Sequence, residues 1–166
     1  MKAELGPLQE ADLDQVCAIE TACFATPWAR ALFLEELKRP ELCHWLAAKD
    51  TAGRVLGYGG FWKAVDEAHF TNVAVDPRHQ RQGLGRALVA ALLDKARSLG
   101  CVRATLEVRL SNLAAQQLYQ GFGFEPAALR KGYYSDNGED ALLMWLRTLA
   151  PSSGRAEDAH PGPTPP

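Results

Sequence analysis

The run V-A-V-D-P-R-H-Q-R-Q-G-L-G-R-A-L, residues 73–88, is the most specific arrangement of chemically capable groups in the chain. An apolar strand enters a proline-containing loop, and the pair Gly83 and Gly85 then opens a long helix. The first amides of a helix have no internal partner and its dipole is positive there, so the place suits an anion, above all a pyrophosphate. Glycine has no Cβ, so a phosphate can approach the backbone closely, while Arg81 and Arg86 add charge at the rim. Two commoner phosphate loops are excluded. A Walker loop needs Gly-Lys-Ser/Thr, and Arg86-Ala87 follows Gly85 instead; a dinucleotide fingerprint needs a third glycine at position 88, which is Leu88. The plainer alternative is a tight strand-to-helix turn that uses glycine for geometry alone.

Holding that turn requires Phe70–Val75 as a strand stopped by Asp76-Pro77, then a helix from Leu84 to Leu99 with Leu84, Leu88, Ala91, Leu92, Ala96 and Leu99 on one face and Gly100 as its stop. Upstream, Ala3–Leu5 reads as a short strand, and Leu13, Val16, Cys17, Ile19 and Glu20 recur at helical spacing. Thr26-Pro27-Trp28 reads as an N-cap with proline at the first helical position, opening a helix to about Lys38. His44–Ala48 and Val55–Trp62 flank the turn-rich D-T-A-G as a hairpin. Downstream come the strand Ala104–Val108, the helix Asn112–Gln120 ended by Gly121, and the strands Phe124–Ala128 and Ala141–Leu146. A run of strands followed by alternation with helices predicts an α/β chain, a mixed central sheet of about seven strands with helices on both faces.

Composition sets the outer bounds. The 166 residues carry 18 Lys and Arg against 20 Asp and Glu, a net charge of −2, so nucleic acid is not an expected partner. Apolar residues at 47% and charged residues at 23% describe a folded globular chain. The longest apolar run is Ala87 to Leu93, seven residues, so no membrane span is expected. Acidic residues near the N-terminus do not suit a signal or transit peptide, and four cysteines without C-x-x-C pairing fit a reducing cytoplasm and no metal site. Five of the ten prolines lie within 151–166, where no large apolar side chain occurs. That stretch reads as a disordered tail behind a domain at 1–150.

Q-R-Q-G-L-G-R-A-L after V-A-V-D-P resembles the acetyl-coenzyme A motif of the GNAT N-acetyltransferase superfamily. L-E-V-R-L-S-N-L-A-A-Q-Q-L-Y-Q-G-F-G-F at 106–124 and R-K-G-Y-Y-S-D-N-G-E-D-A-L-L-M at 130–144 are similar to its RimI-type branch, the ribosomal-protein-alanine N-acetyltransferases. The second segment also resembles archaeal and eukaryotic N-terminal acetyltransferases. The likeness spans about residues 1–147, dense from Asp66 to Met144, and the tail has no counterpart in it. It implies a GNAT fold and acetyl-CoA as co-substrate without a metal. The acceptor it implies is a protein N-terminus, the N-terminal alanine of a small-subunit ribosomal protein, and it is met by a monomer or weak dimer. By the same likeness Val73, Ala74 and Val75 offer backbone groups to the pantetheine arm. Arg81, Gln82, Gly83, Leu84, Gly85 and Arg86 hold the pyrophosphate, and Asn112 contacts the cofactor. Glu107 matches the family's general base and Tyr119 its general acid.

Those types suit the chemistry, since acetyl transfer needs a neutral amine and a protonated leaving thiol. An α-amino group has a pKa near ~8 against ~10.4 for lysine, so one modest base suffices for an N-terminus. Glu107 shares a strand face with Thr105 and Arg109; to act as a base it needs burial that raises its pKa, or a relaying water. Tyr119 lies seven residues beyond Asn112, on the same helix face, with a pKa of ~10 near a thiol's ~8.5. Asn112 is equally an N-cap. Trp28, Tyr133 and Tyr134 are candidate walls for the acceptor, and Asp66, Glu67 and Glu139-Asp140 a source of charge for a basic peptide. His69 reads as a structural strand residue. Two alternatives stay open: an acetyltransferase of broader N-terminal, lysine or small-amine specificity, and a non-catalytic acetyl-CoA binding module.

Overall fold

The computed structural model describes residues 2–149; the tail expected over 151–166 lies outside the described residues. In chain order the elements are β1 (Glu4–Pro7), α1 (Leu13–Cys23), α2 (Arg30–Leu37), β2 (Cys43–Lys49), β3 (Val55–Ala64), β4 (Glu67–Val75), α3 (Leu84–Ser98), β5 (Arg103–Arg109), α4 (Leu113–Gln120), β6 (Glu125–Arg130) and β7 (Ala141–Leu146). The strands form one seven-stranded sheet in the order β1-β2-β3-β4-β5-β7-β6. Every neighbouring pair is antiparallel except β4 and β5. This is the expected mixed sheet, and helices cover both faces. Among the described residues no helix is long and apolar enough to cross a membrane.

The period-two pattern of the strands sorts the core into two layers. Trp45, Ala47, Tyr58 and Ala74 point to one face, where they bury Val16 and Ile19 of α1 and Phe33 of α2. Phe61, Phe70, Leu106 and Val108 point to the other, under Val89, Leu92, Leu93 and Ala96 of α3 and Tyr119 of α4. Gly60 permits this packing, because a Cβ there would come within 2.4 Å of the Trp45 ring.

Two irregularities in β4 shape the centre of the sheet. Phe61 pairs with Phe70 but Gly60 pairs with Asn72, so Thr71 is an extra residue, a β-bulge. The bulge reverses the alternation: Phe70 faces the α3 layer and Ala74 the α1–α2 layer, although they are four residues apart. His69 and Asn72 are thereby placed on the same, α1–α2 face. Second, β4 pairs with β5 only at Glu67–His69 against Arg103–Thr105. Beyond that point the two strands part, and the sheet opens between Phe70–Val75 and Leu106–Arg109.

One element departs from expectation. The second helix starts at Arg30 behind an extended Ala29 (φ −72°, ψ 151°), not at a Thr26 cap with Pro27 in the first turn. The Trp28 amide donates instead to the Glu20 carboxylate at 3.0 Å, and the Trp28 ring packs 5.2 Å from Phe33 and 5.8 Å from Trp45. That tertiary anchor keeps the segment extended against its local preference for a cap.

Candidate active site

A cavity of about 530 Å³ occupies the opening between β4 and β5. Of the residues singled out from sequence it gathers Trp28, Val73, Glu107, Asn112, Tyr119, Tyr133 and Tyr134. Ala74, Val75 and the turn at 81–86 do not line it; they continue from the end of β4 into α3.

Glu107 is the charged centre. Strand alternation turns it away from Leu106 and Val108, and its side chain is only 10% exposed. Oε1 lies 2.8 Å from His69 Nε2, and Oε2 lies 3.1 Å from Arg130 Nε. An ionised carboxylate only accepts, so His69 presents its Nε2–H to Glu107. The hydrogen bond from His69 outweighs burial, and with Arg130 adding to it the carboxyl is held below its ordinary value. Burial alone would raise this pKa, one of the two routes expected for a base at Glu107, the other being a relaying water; the paired His69 and Arg130 do the opposite. His69, read as a structural strand residue, is thus in direct contact with the candidate base. Nothing in a linear reading marks it, because the β4–β5 register and the β4 bulge set its place.

Tyr119 is 8% exposed, its ring 5.6 Å from Phe124. Burial pushes its hydroxyl well above the ordinary tyrosine value, with Tyr134 adding to the effect. It is therefore protonated over the working pH range, and burial moves it away from the expected match with a thiol's ~8.5. Asn112 caps α4, its Oδ1 accepting from the Ala115 amide at 3.1 Å, as its N-cap reading expects.

Glu20 is the residue that sequence reasoning placed only in a helical pattern. It is 1% exposed and accepts from the Tyr58 hydroxyl, from Asn72 Nδ2 at 3.0 Å and from the Trp28 amide. A carboxylate inside an apolar helix stripe was its signal. It ties the loop carrying Trp28 to the sheet. On the opposite side, Tyr134 packs on the Arg109 guanidinium, 4.0 Å from its ring centroid, and burial pushes its hydroxyl up to about 12. Tyr133 remains 48% exposed beside it.

The carboxylates expected to meet a basic peptide already have partners. Arg103 holds Asp66 at 3.2 Å and Glu67 at 3.3 Å. Arg109 holds Glu139 at 3.3 Å, and Asp140 accepts from the Gly132 amide at 2.9 Å. None of them lines the cavity.

The glycine turn has the backbone that its sequence asks for. Gly83 is the N-cap of α3 at φ 82°, a left-handed conformation suited to glycine, and Arg81 adopts φ 65°, at a strain of order 1 kcal/mol. Leu84 turns its side chain into the core. Arg86 stacks over Phe122, 5.3 Å from the ring centroid, which fixes it beside α4. The amides at the start of α3 and the edge of β4 freed where β5 departs suit an extended phosphate-bearing ligand. Among the described residues no group of three or more His, Cys, Asp or Glu could hold a metal ion.

Residues 13–124 match the acetyltransferase (GNAT) family. The [ribosomal protein bS18]-alanine N-acetyltransferase of Escherichia coli K12 is 38% identical over 144 residues, 86% of this chain and 95% of that one. The crystal structure of the Escherichia coli ribosomal-protein-S18-alanine N-acetyltransferase superposes with a TM-score of 0.81 at 35% identity, covering 92% of this chain and 98% of the other. The Salmonella typhimurium protein yncA, solved with its cofactor acetyl-CoA, superposes with a TM-score of 0.75 at 25% identity over 91% of this chain and 98% of its own. The chain belongs to the GNAT acetyltransferase family.

Proposed function

We propose that this acetyltransferase moves the acetyl group of acetyl-CoA to the α-amino group of a protein N-terminus, specifically the N-terminal alanine of a small-subunit ribosomal protein. The observation that carries the reading is the meeting of the Glu107 carboxylate and the Tyr119 phenol in the wall of one cavity at the β4–β5 opening. The activity named for the 38%-identical Escherichia coli relative supports the choice of acceptor.

In this reading the β4 edge at Val73, Ala74 and Val75 pairs with the pantetheine arm. The turn from Arg81 to Arg86, with Gln82, Gly83, Leu84 and Gly85 between them, holds the pyrophosphate, and Asn112 borders the cofactor. Acetyl-CoA supplies the activated thioester. Glu107 faces the incoming amine. A carboxylate held below its ordinary pKa is a weak base toward a free ammonium group, but an α-amine of pKa ~8 is already about one-tenth neutral at pH 7. As the C–N bond forms the nitrogen becomes positive and one of its two protons becomes far more acidic. Glu107, held in place by the His69 hydrogen bond, accepts that proton while the other stays on the amide. A lysine starts ~2.4 units higher, which costs about 3 kcal/mol more at ~1.36 kcal/mol per unit. The site therefore favours an N-terminus. Tyr119 donates its hydroxyl proton toward the departing thiolate, while Trp28, Tyr133 and Tyr134 wall the peptide.

A panel of peptides tests this. An Ala-Arg peptide with a free α-amine should be acetylated, and its α-acetylated, lysine-containing copy should react at under one-tenth of that rate. Equal rates for the two would overturn the α-amine assignment.

A further inference from the structure

The segment 131–140 between β6 and β7 carries Tyr133 and Tyr134 into the cavity wall, yet it holds no helix or strand. A polar ten-residue connection of this kind is ordinarily among the more mobile parts of a fold. Its own bonds are short-range: the Tyr134 amide donates to the Glu139 carbonyl at 3.1 Å and the Gly138 amide to the Tyr134 carbonyl at 2.7 Å, while the Gly132, Asn137 and Glu139 amides donate to the side chains of Asp140, Asp136 and Asn137. At its far end the Asp140 carbonyl accepts from the Leu110 amide at 3.2 Å, and the main side-chain tie to the sheet is a single arginine. Arg109, two residues beyond Glu107 on the same face of β5, reaches Asp136 Oδ2 at 2.7 Å, and Asn137 Oδ1 and Glu139 Oε1 each at 3.3 Å. The face of the same guanidinium covers the Tyr134 ring at 4.0 Å. Glu139 is also gripped by the Ser111 amide at 2.8 Å, at the end of β5.

These contacts are partly withdrawn from water, with side-chain exposures of 26% for Arg109, 16% for Asp136 and 19% for Glu139. They therefore exceed an ordinary surface ion pair. The arrangement needs a planar fork with several donors and an aromatic-stacking face, which arginine has and lysine lacks. With two carboxylates answering it, Arg109 has no charge left over for a ligand's phosphate.

We propose that Arg109 is a positioning residue that fixes the 131–140 segment as the acceptor wall, and so sets affinity for the acceptor peptide without touching the cofactor. This rests on the proposed acceptor reading and deepens it. The test uses the full chain carrying Arg109→Gln, Arg109→Lys or Asp136→Asn, each first checked by circular dichroism and melting. Arg109→Gln should raise KM for the Ala-Arg peptide tenfold or more and leave KM for acetyl-CoA within twofold. Arg109→Lys, which keeps the charge but not the fork, should fall between. Hydrogen exchange at the Tyr134 and Gly138 amides should accelerate at least tenfold in Arg109→Gln. Asp136→Asn should add less in the Arg109→Gln background than it costs alone, because both act on one contact. Should Arg109→Gln not fold, Asp136→Asn carries the same KM and exchange criteria. Unchanged exchange overturns the proposal whatever the kinetics, and so does a parallel rise of both KM values, which marks a general loss of structure. A parent chain that fails on every free α-amine overturns the acceptor reading, and accelerated exchange alone then upholds the hold of Arg109 on the segment.

Discussion

The glycine turn and the Glu107 group stand at opposite ends of β4 and are made in opposite ways. The turn is six consecutive residues, 81–86, whose useful groups are backbone amides at the start of α3. The Glu107 group draws His69 from β4, Glu107 from β5 and Arg130 from the end of β6, and every useful atom is on a side chain. The first depends on local dihedral angles and tolerates most side chains that leave them alone. The second depends on strand register, since a shift of one residue turns a side chain to the other face. Backbone sites are thus robust to side-chain change and fragile to Cβ addition, while side-chain sites have the reverse weakness.

The sharpest way to test that contrast is at Tyr119. Tyr119→Phe keeps the ring against Phe124 and removes only the proton, so kcat should fall by roughly 10²–10⁴-fold with coenzyme A affinity little changed. Measured from pH 6 to 9.5, the defect should be uniform, because alkali supplies no acid. A variant within threefold of the parent throughout would reduce Tyr119 to packing.

Gly83→Val attacks the other region through its backbone. A Cβ at Gly83 would meet no protein atom within 4 Å, so the direct cost is the φ of 82° forced on a branched residue. Coenzyme A affinity, read by calorimetry, should weaken by about 100-fold in a protein that still melts cooperatively, since the amides proposed to meet the pyrophosphate are re-aimed. Unchanged affinity would place the cofactor elsewhere.

Glu107→Gln should give the smallest and the most pH-dependent loss, on the order of 10–100-fold in kcat/KM at pH 6 and shrinking toward pH 9.5, where an α-amine of pKa ~8 is neutral unaided. Stability should follow the same charge. The folded-state pKa of Glu107 lies below its ordinary value, so its contribution is present above the ordinary carboxylate range and is lost as pH falls through the folded value. The parent should therefore melt above Glu107→Gln at pH 7, with the gap closing toward pH 3. A gap constant over that range would mean that His69 and Arg130 do not stabilise the ionised form.

The residues that sequence alone made legible share one property: their meaning is local. Gly83 marks a left-handed cap, Asn112 caps α4, Gly100 ends α3 at φ 87°, and the period of α3 names its buried face. The motif around the turn and the segments at 106–124 and 130–144 likewise carry their family resemblance in runs of adjacent residues. Thr26-Pro27-Trp28 carried an equally clear local signal and it lost, because Glu20 took the Trp28 amide and the aromatic cluster took the ring.

What only the tertiary structure decided is how distant side chains meet. Thr71 as a bulge turns His69 to the face of Glu107, and the short β4–β5 pairing opens the sheet where Tyr119 and Glu107 line one cavity. Register then brings Arg130 to Glu107 and leaves Asp66, Glu67 and Glu139 answering arginines. The physical reason is one of range. Caps, turns and helix periods are settled by interactions within about four residues of chain, whereas the charge state of Glu107 is set by partners 38 residues before it on β4 and on the far side of β7, which no local propensity encodes.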